Sequence, residues 1–210
     1  MEVLVEAFRK HLNKEKIKYE EIIERFPKNS ALYDKNALYK EEINVEKSFK
    51  SKIKSGIIIR KINAKNSEII NKINSKFSIL YEKIYCEGNV NYTLKGKVNE
   101  FYHYLELINL ENSNSNAEIR LFTKGYTVVI GKVVAFETSK NSSGNLKMLF
   151  LPSKKANIVS IPILDIRNDT SKGFHSTKII KLDEDQILFL RSKGLEERKI
   201  KSLVYKSFFL

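Results

Sequence analysis

From Gly56 onward the chain is a succession of short β-favouring runs: GIIIRKI, FSILYEKIYC, VNYTLKGKV, FYHYLELINL, AEIRLF, YTVVIGKVVAF, LKMLFL and ANIVSIPILDI. Asn, Ser, Gly and Lys separate them. Several alternate with period two, as Val90, Tyr92 and Leu94 do against Asn91, Thr93 and Lys95, or Leu146, Met148 and Phe150 around Lys147. That is the pattern of strands with one buried face. New runs begin roughly every 10–14 residues, a spacing that β-sandwiches and β-solenoids share. No repeat motif is legible, so periodicity leaves these two architectures open.

The flanks have a different texture. Up to Phe26, the apolar residues Val3, Leu4, Ala7, Phe8, Leu12, Ile17, Ile22 and Ile23 recur at helical spacing among Glu and Lys, and Pro27 with Lys28-Asn29-Ser30 ends the pattern. The charged segment Ala31 to Lys54 reads as an irregular linker with a helical piece around Glu41 to Phe49. Near the C-terminus, Asp183 followed by Gln186 has the form of a capping box. It opens a helix through Ile187, Leu188 and Leu190 that Gly194 closes, with Leu195 packing back. A second helix follows, with Ile200, Leu203, Val204 and Phe208 in one stripe opposite Lys199, Lys201 and Lys206. The expected layout is an N-terminal helical region and linker over 1–54, a β core over 55–170 and a helical region over 171–210.

The net charge of +13 raises nucleic acid as a partner. Nearly all the positive residues are Lys, however, and the chain is also rich in Ile and Asn, a joint bias that an A/T-rich genome produces at exposed positions. A basic β-rich nucleic-acid-binding protein is therefore the alternative reading. The single cysteine, Cys86, excludes a disulfide framework and a multi-cysteine metal site within one chain and points to the cytosol. The first residues carry no signal-peptide core, and no apolar run approaches the ~18 residues of a membrane span. Neither GxxxxGK[ST] nor GxGxxG occurs, and three scattered histidines make no nucleophile–base pair, so no enzymatic activity is expected.

The segment GFHSTKIIKLDEDQILFLRSKGL, residues 173–195, is similar to the C-terminal signature of the SufB/SufD family, in register without a gap from His175 to Gly194-Leu195. Upstream, Pro162-Ile163-Leu164-Asp165-Ile166 resembles that family's Pro-x-Ile/Leu-Glu-Ile/Val strand, and the similarity spans Ala156 to Phe208. The resemblance implies a mostly β protein, a shortened right-handed parallel β-helix with N- and C-terminal helical segments. It further implies a subunit of an iron–sulfur cluster assembly scaffold, one that pairs through the β-helix with a SufB-like or identical chain. A SufC-like ABC ATPase would dock on its C-terminal helices, through Ile187, Leu190, Ile200, Leu203, Val204 and Phe208. No intrinsic cofactor is implied, only a transient iron–sulfur cluster or iron at the subunit interface. The sulfur-accepting Cys of SufB-like chains corresponds to Ala156, and the Glu after the motif His corresponds to Ser176. Both departures point to the SufD-like side, or to a structural paralogue without cluster chemistry.

His175 is the candidate iron or cluster ligand, since a neutral imidazole can ligate iron; the alternative is a histidine that only hydrogen-bonds. His103 shares a face with Leu105 and Leu107 and reads as a satisfied core histidine, while His11 reads as solvent-facing. Cys86 reads as a small buried hydrophobe. Phe101, Tyr102 and Tyr104 read as packing residues before a base-stacking platform. The stripe on the last helix has two open readings, packing on the β core or docking a partner.

Overall fold

The computed structural model describes residues 38–209 apart from 55 and 182. The helix expected before Pro27, and His11 within it, lie outside the described residues. Strands are β1 (Leu38–Val45), β2 (Ser48–Ile53), β3 (Gly56–Asn109), β4 (Asn114–Thr123), β5 (Tyr126–Ala135), β6 (Ser143–Pro152), β7 (Asn157–Ile166) and β8 (Lys172–Ile179). Helices α1 (Glu184–Ser192) and α2 (Glu197–Phe209) follow.

The 54 residues of β3 would span roughly 180 Å if laid straight at ~3.3 Å per residue, so this extended chain has to wind. Its residues 57–64 pair with β1, 68–73 with β2, 89–98 with β4 and 101–109 with β5, each time in parallel. Parallel pairing then continues from β4 to β6 to β8 and from β5 to β7. The result is a parallel β-helix with two walls. One wall stacks β1, 57–64, the stretch around Tyr81, 101–109, β5 and β7, with Tyr81 stacked on Tyr104 and the Leu110 amide bonded to the Cys86 carbonyl. The other stacks β2, 68–73, 89–98, β4, β6 and β8.

The coils are unequal. Glu42 lies beside Lys61, 19 residues on. In the middle Asn89 lies beside Asn114, 25 residues on, and towards the end Asn114 lies beside Ser143, 29 residues on. A lengthening coil has no fixed sequence period, which is why no repeat is legible. The β-helix also begins earlier than the run texture indicates: instead of a helical piece over Glu41 to Phe49, the chain forms β1 and β2. Ile43, Val45, Phe49 and Ile53 alternate and pack inward, and a parallel neighbour to template on outweighs the weak helix preference of Lys and Glu. At the other end β8 extends the winding to Ile179, inside the span read as helical.

Alternate residues of every coil fill one interior. Val90, Tyr92, Leu94, Leu146, Met148 and Phe150 are all buried there, as their alternation requires, and so is Cys86, whose thiol burial pushes up to about 12. Gly96 lets two coils approach, because a Cβ at that position would meet the Ile73 carbonyl oxygen at 1.8 Å.

Near the start of the helix the interior is ionic. Arg60 donates through Nη1 to Asn71 Oδ1 (3.1 Å), Ser51 Oγ (3.1 Å) and Glu82 Oε1 (3.4 Å), and through Nε to Glu41 Oε2 (2.7 Å). Asn71 Nδ2 donates to Glu82 Oε1 (3.1 Å), the Tyr92 hydroxyl donates to Glu82 Oε2, and His103 Nε2 stands 3.1 Å from the same oxygen. Glu82, Asn71 and His103 are fully buried. Burial alone would raise the Glu82 carboxyl, but His103, Arg60 and Tyr92 together hold it below its ordinary value of 4.5.

Because its folded value is depressed, Glu82 contributes stability that is present above about 4.5 and is lost as pH falls below it. Glu82→Gln, which removes the buried carboxylate and leaves Arg60 only the partly exposed Glu41 as counter-charge, should cost about 1–3 kcal/mol. Urea unfolding at neutral pH and at pH values below 4.5 checks this: the variant should be the less stable protein, and its acid sensitivity should be smaller than that of the wild type.

Candidate functional site

Strands β7 and β8 end the two walls, each hydrogen-bonded to a neighbour on one side only among the described residues. Among the described residues their outer edges are free and nothing caps the interior. On β8 the inward positions are Gly173, His175, Thr177 and Ile179, in register over Gly144, Leu146, Met148 and Phe150 of β6. His175 continues a column that runs Tyr92, Ala117, Leu146, His175 from coil to coil. Its three predecessors are buried; His175 is exposed because no described coil lies over it.

The facing wall brings Ser160 to the same end. Its column runs His103, Val129, Ser160, and its hydroxyl lies 3.4 Å from Thr177 Oγ1 and 3.6 Å from Met148 Sδ. Both described histidines thus stand on inward columns, His103 roofed by later coils and His175 open. Ser176 alternates to the outer face with Phe174, which is 59% exposed. Ala156 is elsewhere, in the turn between β6 and β7 where its amide bonds the Ser153 carbonyl (3.1 Å). Asp165, the acid of the Pro-Ile-Leu-Asp motif, accepts from Arg167 (2.8 Å) and pairs with Lys132 (2.9 Å). Arg167 foremost, with Lys132, holds its carboxyl well below the usual carboxylate range, so this motif acid is a structural anchor.

The C-terminal punctuation works as its residues specify. Asp183 accepts from the Gln186 amide (2.6 Å), and Gly194 takes the left-handed conformation at φ +81° that closes α1. Of the stripe residues, Ile200 and Phe208 are buried against this chain's own coils: Arg120 Nη1 donates to the Phe208 carbonyl (3.1 Å) and Tyr205 meets Phe122 edge-on. Ile187, Leu190 and Val204 are half-buried, and Leu203 is 49% exposed. Two residues outside that set, Leu188 (67%) and Phe189 (61%), are the most exposed large apolar side chains of α1.

Sequence reasoning missed the ionic interior. The signal was there, since alternation places Glu82 on the face of Leu80, Ile84 and Cys86, and Arg60 on the face of Ile58 and Ile62. Among the described residues no three His, Cys, Asp or Glu side chains are grouped closely enough to hold a metal ion. No helix among them is long and apolar enough to cross a membrane.

The described residues make this a parallel β-helix protein with a helical hairpin docked on its flank. Residues 55–208 match the family model described as SUF system FeS cluster assembly, SufBD core domain. No curated protein matches the chain. The chain belongs to the SufB/SufD family.

The two histidines should separate cleanly in stability measurements. His103→Ala, which removes a buried donor from Glu82 and leaves a void, should cost about 2–3 kcal/mol, whereas His175→Ala should stay within about 0.5 kcal/mol of wild type by urea unfolding.

Proposed function

We propose that this chain is a SufD-like, non-enzymatic scaffold subunit of an iron–sulfur cluster assembly complex in the cytosol. It pairs at the uncapped end of its β-helix with a SufB-like or identical chain and docks a SufC-like ATPase on its C-terminal helices. The observation that carries this reading is the position of His175, an exposed imidazole on an otherwise buried column, on an end strand whose outer edge no described strand pairs. A second chain added to those edges would complete the backbone hydrogen bonding and enclose the imidazole.

One imidazole is far short of a ligand set for iron or a cluster. The other ligands would come from the second chain, so the cluster is cargo held transiently between subunits. With Ala156 and Ser176 where SufB-like chains carry sulfur-handling and acidic residues, this chain supplies one ligand and the frame. For the ATPase, the exposed trio Leu188, Phe189 and Leu203 is the apolar surface offered, while Ile200 and Phe208 hold α2 to the β-helix behind it.

The nucleic-acid alternative finds less support. Lys61, Lys65, Lys83 and Lys132 are ion-paired to Glu42, Glu87, Glu106 and Asp165 on neighbouring coils, an arrangement that ties coils together and leaves these ammonium groups partly neutralised.

Co-expression with a SufC-type ATPase should yield a complex that survives purification. Leu188→Asp with Phe189→Asp should release the ATPase while leaving circular dichroism unchanged. His175→Ala should keep the complex and lower its iron–sulfur content several-fold. A wild-type chain that retains no such ATPase would sink the docking half of the reading; unchanged cluster content in His175→Ala would sink the other half.

A further inference from the structure

Between the helical hairpin and the corner of the last coils lies a cavity of about 780 Å³. Phe122, Leu151, Ile187 and Val204 give it an aliphatic and aromatic wall, and Ala156 leaves room where a larger side chain would fill it. Lys154, Lys181 and Lys201 also line it, and among the described residues no carboxylate does. Lys201 pairs with Glu197 one helical turn back. Lys154 and Lys181 are in no ion pair among the described residues. The cavity is of the size that takes a small organic ligand.

We propose that this cavity binds an amphipathic anion, specifically a long-chain fatty acid, with its carboxylate on Lys154 and Lys181 and its hydrocarbon chain along the apolar wall. The chemistry of the lining selects this class. Besides the ammonium groups, the lining has only the side-chain hydroxyls of Ser153 and Tyr205 for the polar edges of a base or sugar, and three ammonium groups repel cations. An anion without an apolar body would leave the wall facing water. A chain lying here touches β4, the β6–β7 corner, α1 and α2 together, so occupancy braces the hairpin on the β-helix. The proposal does not rest on the scaffold reading: it uses neither His175 nor the exposed Leu188, Phe189 and Leu203, and of the helical stripe only Ile187 and Val204 line the cavity.

Calorimetric titration and thermal melting of the full chain with palmitate, kept below its critical micelle concentration, test it, with hexadecanol as the uncharged control. Palmitate should bind saturably and raise the melting temperature. Hexadecanol should bind about tenfold more weakly, as should palmitate to the surface variant Lys154→Glu with Lys181→Glu, from loss of charge-assisted hydrogen bonds. Ala156→Trp should fill the space and abolish binding. Unsaturable binding, equal affinity for hexadecanol, or wild-type affinity in the charge-reversed variant would overturn the proposal. Should Ala156→Trp not fold, the charge-reversed variant still decides, since it alters only exposed side chains.

Discussion

Each coil of this protein depends on the one beneath it for its backbone hydrogen bonds. A single extended turn, such as residues 57–73, has no partner within itself; its amides and carbonyls are satisfied by β1 and β2 before it and by the next turn after it. Stability therefore grows by stacking, and the two ends are different in kind from the middle. At the last coil this leaves β7 and β8 with edges that no described strand pairs and turns what would be a core column into an open site. The position of His175 follows from that ending: the same column position one coil earlier is Leu146, fully buried.

The interior is not uniformly apolar. Glu82 accepts from Arg60, Asn71, Tyr92 and His103, groups that come from different coils and both walls. In a stack of similar coils, aliphatic columns alone tolerate sliding by two residues, because the inward face is preserved. A buried carboxylate that needs its donors from particular coils does not. The hub thus fixes the register of the early coils, where they are shortest.

Much of the fold was legible in the residues. Alternation at Val90, Tyr92 and Leu94 and at Leu146, Met148 and Phe150 marked strands and their buried face, and Asp183, Gln186 and Gly194 bounded α1, because strand faces and caps depend on close neighbours in sequence. What was not legible depends on neighbours far away in sequence. β1 and β2 read as linker because their strand character comes from pairing with 57–64 and 68–73. The winding of β3 left no repeat, because coil length is not constant along the chain. At the site, His175 stood out by resemblance alone, and its accessibility depended on where the stacking stops.

The sequence by itself determined the strand faces, the capped helix, the buried character of Cys86 and His103, and membership in a family through one contiguous motif, all set by local spacing. Only the tertiary structure decided which of two inward histidines is open, which half of the helical stripe is already covered, and that Arg60 and Glu82 meet. Those outcomes depend on which coil lies over a residue, and coil stacking joins positions 19 to 31 residues apart at a spacing that changes along the chain.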